Sequence, residues 1–211
     1  MRKSQKFMLT SLLLAVIAIL TVAPTISWLS STSPPVINTF AGGLISIKLD
    51  EALVGSDGKA ITGEGAQRVT ANRYKYIAGA VLDKDPTPTV LKGSEECYVF
   101  LCVENGLTDQ FTMDYSTELW LKAAETEGKA VYVYHTAVNA LEADIVLDPI
   151  FTTVTVSEDL TSEDIALLGE RTLSVTAYAV QTHSISWRTA IDLAVAQFLP
   201  EGTVINYPLI Y

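Results

Sequence analysis

The chain reads as an all-β protein: an antiparallel sandwich of jelly-roll or immunoglobulin-like kind with one or two short helices. Three observations lead there. Val, Ile, Thr and Tyr are abundant, and they suit a pleated, half-buried surface better than a helix. About eight short apolar runs are separated by turn signals built on Gly, Pro, Asn and Asp, the spacing of sandwiches rather than of βαβ units. The roughly 180 residues that follow the first thirty or so are enough for one such domain and its core.

The segment MRKSQKFMLTSLLLAVIAILTVAPTISW places Arg2, Lys3 and Lys6 ahead of an apolar run from Phe7 to Val22, the layout of a secretory signal. That run is about sixteen residues, short of the ~20 a bilayer span needs. Thr25 and Ser27 are small at the two positions a signal peptidase reads, so the cut is expected after Ser27. Residues 1–27 are then a signal peptide, 28–43 an N-terminal arm and 44–211 the sandwich. Contact with a membrane is expected only through the signal before cleavage, and the mature protein is expected outside the cell.

In PPVINTFAGGLISIKLDE, Pro34 and Pro35 oppose regular structure. Leu44–Asp50 then alternates, with Ile45, Ile47 and Leu49 on one face and Ser46 and Lys48 on the other. A polar, Gly-rich stretch from Glu51 to Arg73 reads as a long loop or weak hairpin. Tyr74–Ala78 follows as a short strand, then a turn at Asp83–Pro86 and a strand at Thr87–Leu91. Pro86 and Pro88 cannot donate to a ladder and place that strand at an edge or give it an irregular start. ECYVFLCVEN is apolar on both faces and is expected at the centre of a sheet. Strands are expected at Phe111–Tyr115, Leu119–Ala123, Ala130–Ala137, Pro149–Ser157 and Arg171–Gln181. LTSEDIALLGE predicts a short helix capped by Thr161 or Ser162, and Ser186–Phe198 an amphipathic one with Trp187, Ile191, Ala194 and Phe198 near one stripe. The tail GTVINYPLIY reads as a last strand broken by Pro208.

The formal net charge of −10 becomes about −13 once Arg2, Lys3 and Lys6 are removed, a surface that repels nucleic acid. Cys97 and Cys102 lie five apart in one strand, on opposite faces, where no disulfide can close. Two buried free thiols are expected. His135 and His183 are isolated, with no zinc pattern and no G-x-S-x-G or H-E-x-x-H motif, so no catalytic residue is assigned. No cofactor is expected. Asp50–Glu51, Asp83 with Asp85, and Glu95–Glu96 would suit a hard cation such as Ca²⁺ but lack the spacing of an EF-hand loop.

Several stretches together resemble a known family: NTFAGGLISIKLDE, LDKDPTPTVLKGSEECYVFLCVEN, AVYVYHTAV and PIFTTVTVSEDLTSEDIALLGERTLSVTAYAVQ, in that order after a short signal. They are similar to the SipW-dependent secreted proteins of Gram-positive bacteria, the group that contains TasA and camelysin. The resemblance runs from the signal to Gln181. It implies a jelly-roll-like sandwich, export through a dedicated signal peptidase, and assembly with itself or a related matrix protein into biofilm-matrix fibres. The camelysin branch also carries a metallopeptidase label, for which this chain has no zinc-ligand motif. A monomeric surface adhesin using the Glu51–Arg73 loop is a further alternative.

Donor-strand exchange also has a physical case here. An incomplete sheet leaves N–H and C=O groups unpaired, and an extended neighbour can satisfy them. Trp28–Phe40 is the expected donated arm, with Trp28, Leu29, Val36, Ile37 and Phe40 as apolar anchors and Gly42–Gly43 as hinge.

Overall fold

The computed structural model describes residues 44–209, and every element below lies within them. The strands are β1 (Ile47–Ala52), β2 (Arg68–Val69), β3 (Val81–Asp83), β4 (Thr87–Val90), β5 (Ser94–Asn105), β6 (Phe111–Met113), β7 (Trp120–Thr126), β8 (Lys129–Tyr134), β9 (Val138–Ala140), β10 (Ile145–Val146), β11 (Thr153–Val156) and β12 (Leu173–Gln181). Two α-helices accompany them: α1 (Ser162–Leu168) before β12 and α2 (Trp187–Phe198) after it. All strand pairs are antiparallel, as the sequence predicts.

The central sheet has the order β12-β5-β8-β7, with β9 extending it beside the start of β5. A second sheet runs β10-β4-β1-β2, and a third β3-β11-β6. β5 is the middle of the molecule because both of its faces are apolar. Cys97, Val99, Leu101 and Val103 enter the core that also holds Tyr132, Phe151 and Val90, against which Ile45, Ile47 and Leu49 pack. Phe100 and Cys102 enter a second core on the opposite face.

That opposite face is covered by α2. Ser186 caps the helix by accepting from the Thr189 N–H at 3.2 Å, and Ala190, Ile191, Ala194 and Val195 are buried against Val131, Val133, Ala123 and Ala124. Alanines on both sides let helix and sheet approach closely. Trp187 and Phe198 flank the stripe as partly buried neighbours. Helix α1 is shorter and carries a full capping box, with Thr161 and Asp164 each bonding the other's backbone N–H. A third core, around Leu82, Phe111, Val154 and Val156, joins β3, β6 and β11.

Several sequence expectations are corrected. Tyr74–Ala78 is not a strand, although Asn72, Tyr74 and Tyr76 turn inward while Arg73, Lys75 and Ile77 are exposed. The alternation is present but no described strand pairs with it, and the strand forms at Val81–Asp83 instead. β4 is interior to its sheet rather than at an edge. The Pro88 carbonyl accepts from the Leu147 N–H at 2.9 Å, and N–H and C=O of one residue share a side in an antiparallel strand. The donor Pro88 lacks therefore faces the two-residue β10, not β1. Pro149–Ser157 narrows to β11, since Ile150 and Phe151 are spent on the first core. In the tail only Ile205 makes a β-bridge, to Ala124. The turn-rich link before β11 contains the short β9 and β10, which were not anticipated. The Glu51–Arg73 stretch does turn back as a weak hairpin, with Glu51 opposite Val69 and Ala52 opposite Arg68.

Candidate functional site

Two surface features stand out once the sheets are in place: an open edge and a cationic cleft. The edge is β12. It pairs with β5 through nine consecutive positions, from Leu173↔Asn105 to Gln181↔Cys97, without a bulge. Among the described residues no strand pairs with its outer side. Its sequence, LSVTAYAVQ, holds no charge, no Pro and no Gly. Sheet proteins ordinarily blunt an edge with such residues, with bulges or with a covering segment. β7, the opposite edge, has all three: Lys122 and Glu125, a register shift between Lys122 and Ala124, and the C-terminal segment bonded on through the Asn206 N–H to the Ala123 carbonyl at 2.7 Å.

The inner end of the Glu51–Arg73 hairpin is tied down by charge. Asp50 and Glu51 are both buried, and Arg68 reaches across to Asp50 at 2.7 Å and to Asp85 at 2.5 Å. Lys84 meets Glu51 at 2.5 Å, and Asn72 donates to Glu51 at 3.0 Å and to the Ala52 carbonyl at 2.7 Å. Burial pushes the Asp50 carboxyl up, but hydrogen bonds and charge from Lys48 and Arg68 outweigh it and hold the group below its ordinary value. Asp83 is likewise lowered, against burial, by the Ala60 N–H and Lys59. Asp50, Glu51, Asp83 and Asp85 are thus engaged by Lys and Arg, and Glu96 accepts from Thr182 at 2.7 Å. Among the described residues no three His, Cys, Asp or Glu converge on a metal position.

A cleft of about 660 Å³ opens beside this network. Its floor is Leu82, Phe111 and Val154, its near wall Asn72–Tyr76, and its far wall Gly169–Leu173, where β12 begins. The near wall is fixed by its tyrosines. Tyr74 donates to the Asp83 carbonyl at 2.9 Å, and Tyr76 donates to the Gly169 carbonyl at 2.8 Å while meeting Phe111 edge-on at 5.2 Å. The Lys84 ammonium lies 5.7 Å from the centre of the Tyr74 ring. The outward side chains of that wall, Arg73 and Lys75, share the cleft with Arg171 and Glu170.

Cys97 and Cys102 are free and buried, on opposite faces of β5 as their spacing predicts. Burial pushes the Cys97 thiol up to about 11. His135 packs on the Tyr134 ring at 4.7 Å and His183 is exposed, so neither joins a constellation. The expected signal, residues 1–27, and the arm with Trp28, Leu29, Val36, Ile37, Phe40, Gly42 and Gly43 lie outside the described residues. Sequence reasoning gives Arg73, Lys75 and Arg171 no role: Arg73 ends the expected loop and Lys75 falls in the expected strand Tyr74–Ala78, although the alternation R-Y-K-Y spans the two. No family model, no curated protein and no solved structure matches this chain.

Proposed function

We propose that the protein is an exported, non-enzymatic structural subunit that joins copies of itself, or a related matrix protein, into extracellular fibres. A dedicated signal peptidase removes residues 1–27. The arm Trp28–Phe40 of one copy then adds as a strand to the β12 edge of the next, in the manner of the TasA and camelysin group that the sequence resembles.

The observation that carries this reading is the edge itself: nine regular, uncharged positions without the charges and the register shift of β7, and with no strand paired to their outer side among the described residues. Nine residues of strand span about 30 Å, and a thirteen-residue arm fully extended spans at most ~45 Å. The arm is long enough to cover the edge. Each paired position satisfies N–H and C=O groups that otherwise depend on water, and Trp28, Leu29, Val36, Ile37 and Phe40 supply apolar contacts. Pro34 and Pro35 are adjacent and cannot donate, and successive residues of a strand face opposite sides, so one of them would face β12; the pair therefore belongs past its end or at a break in the ladder.

The test compares the chain from Trp28 with the same chain lacking residues 28–40, both examined by electron microscopy. Fibres are expected from the first alone. Fibres from the truncated chain would overturn the donor-arm mechanism.

A further inference from the structure

The cleft is where the charge of the molecule runs against its average. Four of the eleven Lys and Arg that follow Gly43 line it, against one of the twenty-four Asp and Glu. Lys84 is already committed to Glu51. Among the described residues the other three cations are unpaired or held only by an exposed ion pair. Lys75 has no carboxylate within 4.0 Å among the described residues, and Arg171 spends its Nε on the Leu168 carbonyl at 2.9 Å, which leaves its terminal nitrogens open. Arg73 meets Glu170 at 3.2 Å with both side chains about nine-tenths exposed, an ion pair that yields readily to a competing carboxylate. Glu170 thus occupies the position a ligand acid would take.

The backbone of the same wall points to the kind of ligand. Exposure alternates from Asn72 to Ile77 with a period of two, the mark of an extended chain. The tyrosine hydroxyls of this wall are spoken for, by the Asp83 and Gly169 carbonyls. Among the described residues, no hydrogen bond uses the backbone N–H or C=O groups of Arg73, Tyr74, Lys75 or Tyr76. A strand-like segment held in place without a partner strand is a template for one. A row of free peptide groups favours a peptide over a saccharide, and the outward Arg73 and Lys75 set the side-chain period of that peptide.

We propose that the cleft binds an extended acidic segment of a partner protein, paired along Arg73–Tyr76, with carboxylates at alternate positions meeting Arg73, Lys75 and Arg171. The cleft meets the β12 edge only at Leu173, and its cations Arg73, Lys75 and Arg171 lie outside β12, so binding there can fail while the fibre reading stands, and the reverse. Cross-strand partners of opposite charge on one face add stability to such a pairing.

The probe is a fluorescein-labelled ten-residue peptide of alternating Glu and Thr, titrated against the full chain at low salt and read by anisotropy, with a Lys–Thr peptide and polygalacturonate as comparisons. The Glu–Thr peptide is expected to bind and the Lys–Thr peptide not to. The double variant Lys75→Glu, Arg171→Glu, at two exposed positions, should weaken binding about tenfold or more, and Glu170→Gln should tighten it by removing the internal competitor. In ¹⁵N spectra the amides of Arg73–Tyr76 should shift most. Circular dichroism of each variant reports whether the fold is kept. No binding of the Glu–Thr peptide to the full chain overturns the proposal. So does binding unchanged in the double variant, or polygalacturonate binding at the same amides in preference to the peptide.

Discussion

Glu51 and Lys84 form the most buried ion pair among the described residues, with side chains 7% and 13% exposed and 2.5 Å apart. Removing one partner of such a pair leaves a buried charge without its counter-ion, whereas removing both is tolerated far better. Lys84→Met is expected to cost about 3 kcal/mol. Adding Glu51→Gln should recover more than half of that loss, because the amide oxygen can still accept from Asn72. Urea unfolding of the two variants and the parent checks both statements. The aspartates give a pH dependence of fixed sign. Asp50, Asp83 and Asp114 are all held below the ordinary value of 3.8, against burial; in Asp114 the hydroxyl and backbone N–H of Thr152 and the N–H of Thr153 do this. A carboxyl lowered in the folded state contributes its full stability above the unfolded value and loses it as pH falls through the folded one. Stability by urea midpoint should therefore be level from pH 7 to about 5 and fall below about pH 4. A midpoint at pH 3 equal to that at pH 7 would contradict these assignments.

At the scale of elements, the β12 edge makes a prediction that leaves the subunit intact. Ser174 and Thr176 are exposed, so lysines there should change the stability of the single subunit by no more than about 0.5 kcal/mol. On an edge that must accept a strand, the same lysines blunt pairing. Ser174→Lys with Thr176→Lys should abolish fibres seen by electron microscopy while thermal unfolding stays unchanged; fibres that persist would move the acceptor away from β12. How much of this was legible in the sequence follows from what makes each element. β5 was readable from Cys97 to Val103 because burial on both faces writes an apolar residue at every position there, while its polar start at Ser94 and Glu95 was not. The helix α2 was readable because its stripe and its Ser186 cap are both local. Tyr74–Ala78 carried the right period but failed as a strand, since a ladder needs a partner the local sequence does not name. β9 and β10 are too short to show a period at all. The edge status of β12 was equally hidden, because which strand ends a sheet is decided by pairings between residues far apart in the chain.

At the scale of the whole molecule, net charge sets the two proposed interactions against each other. The chain after Ser27 carries about −13, while the arm itself has no charged residue between Trp28 and Gly43. Copies of the subunit repel as they approach, and the arm does nothing to offset this. Salt shortens the screening length from about 10 Å at 0.1 M to about 3 Å at 1 M. Added salt should therefore speed fibre growth, since the strand pairing that follows encounter consists of backbone hydrogen bonds and apolar contacts that salt hardly weakens. The cleft should behave in the opposite way. Its recognition of an acidic segment depends on Arg73, Lys75 and Arg171 at an exposed surface, and the same screening weakens it. One salt series on one preparation, followed by light scattering for growth and by anisotropy for the Glu–Thr peptide, should give slopes of opposite sign. If growth slows with salt, charge attraction drives assembly, and contacts other than an uncharged arm on an uncharged edge must supply it.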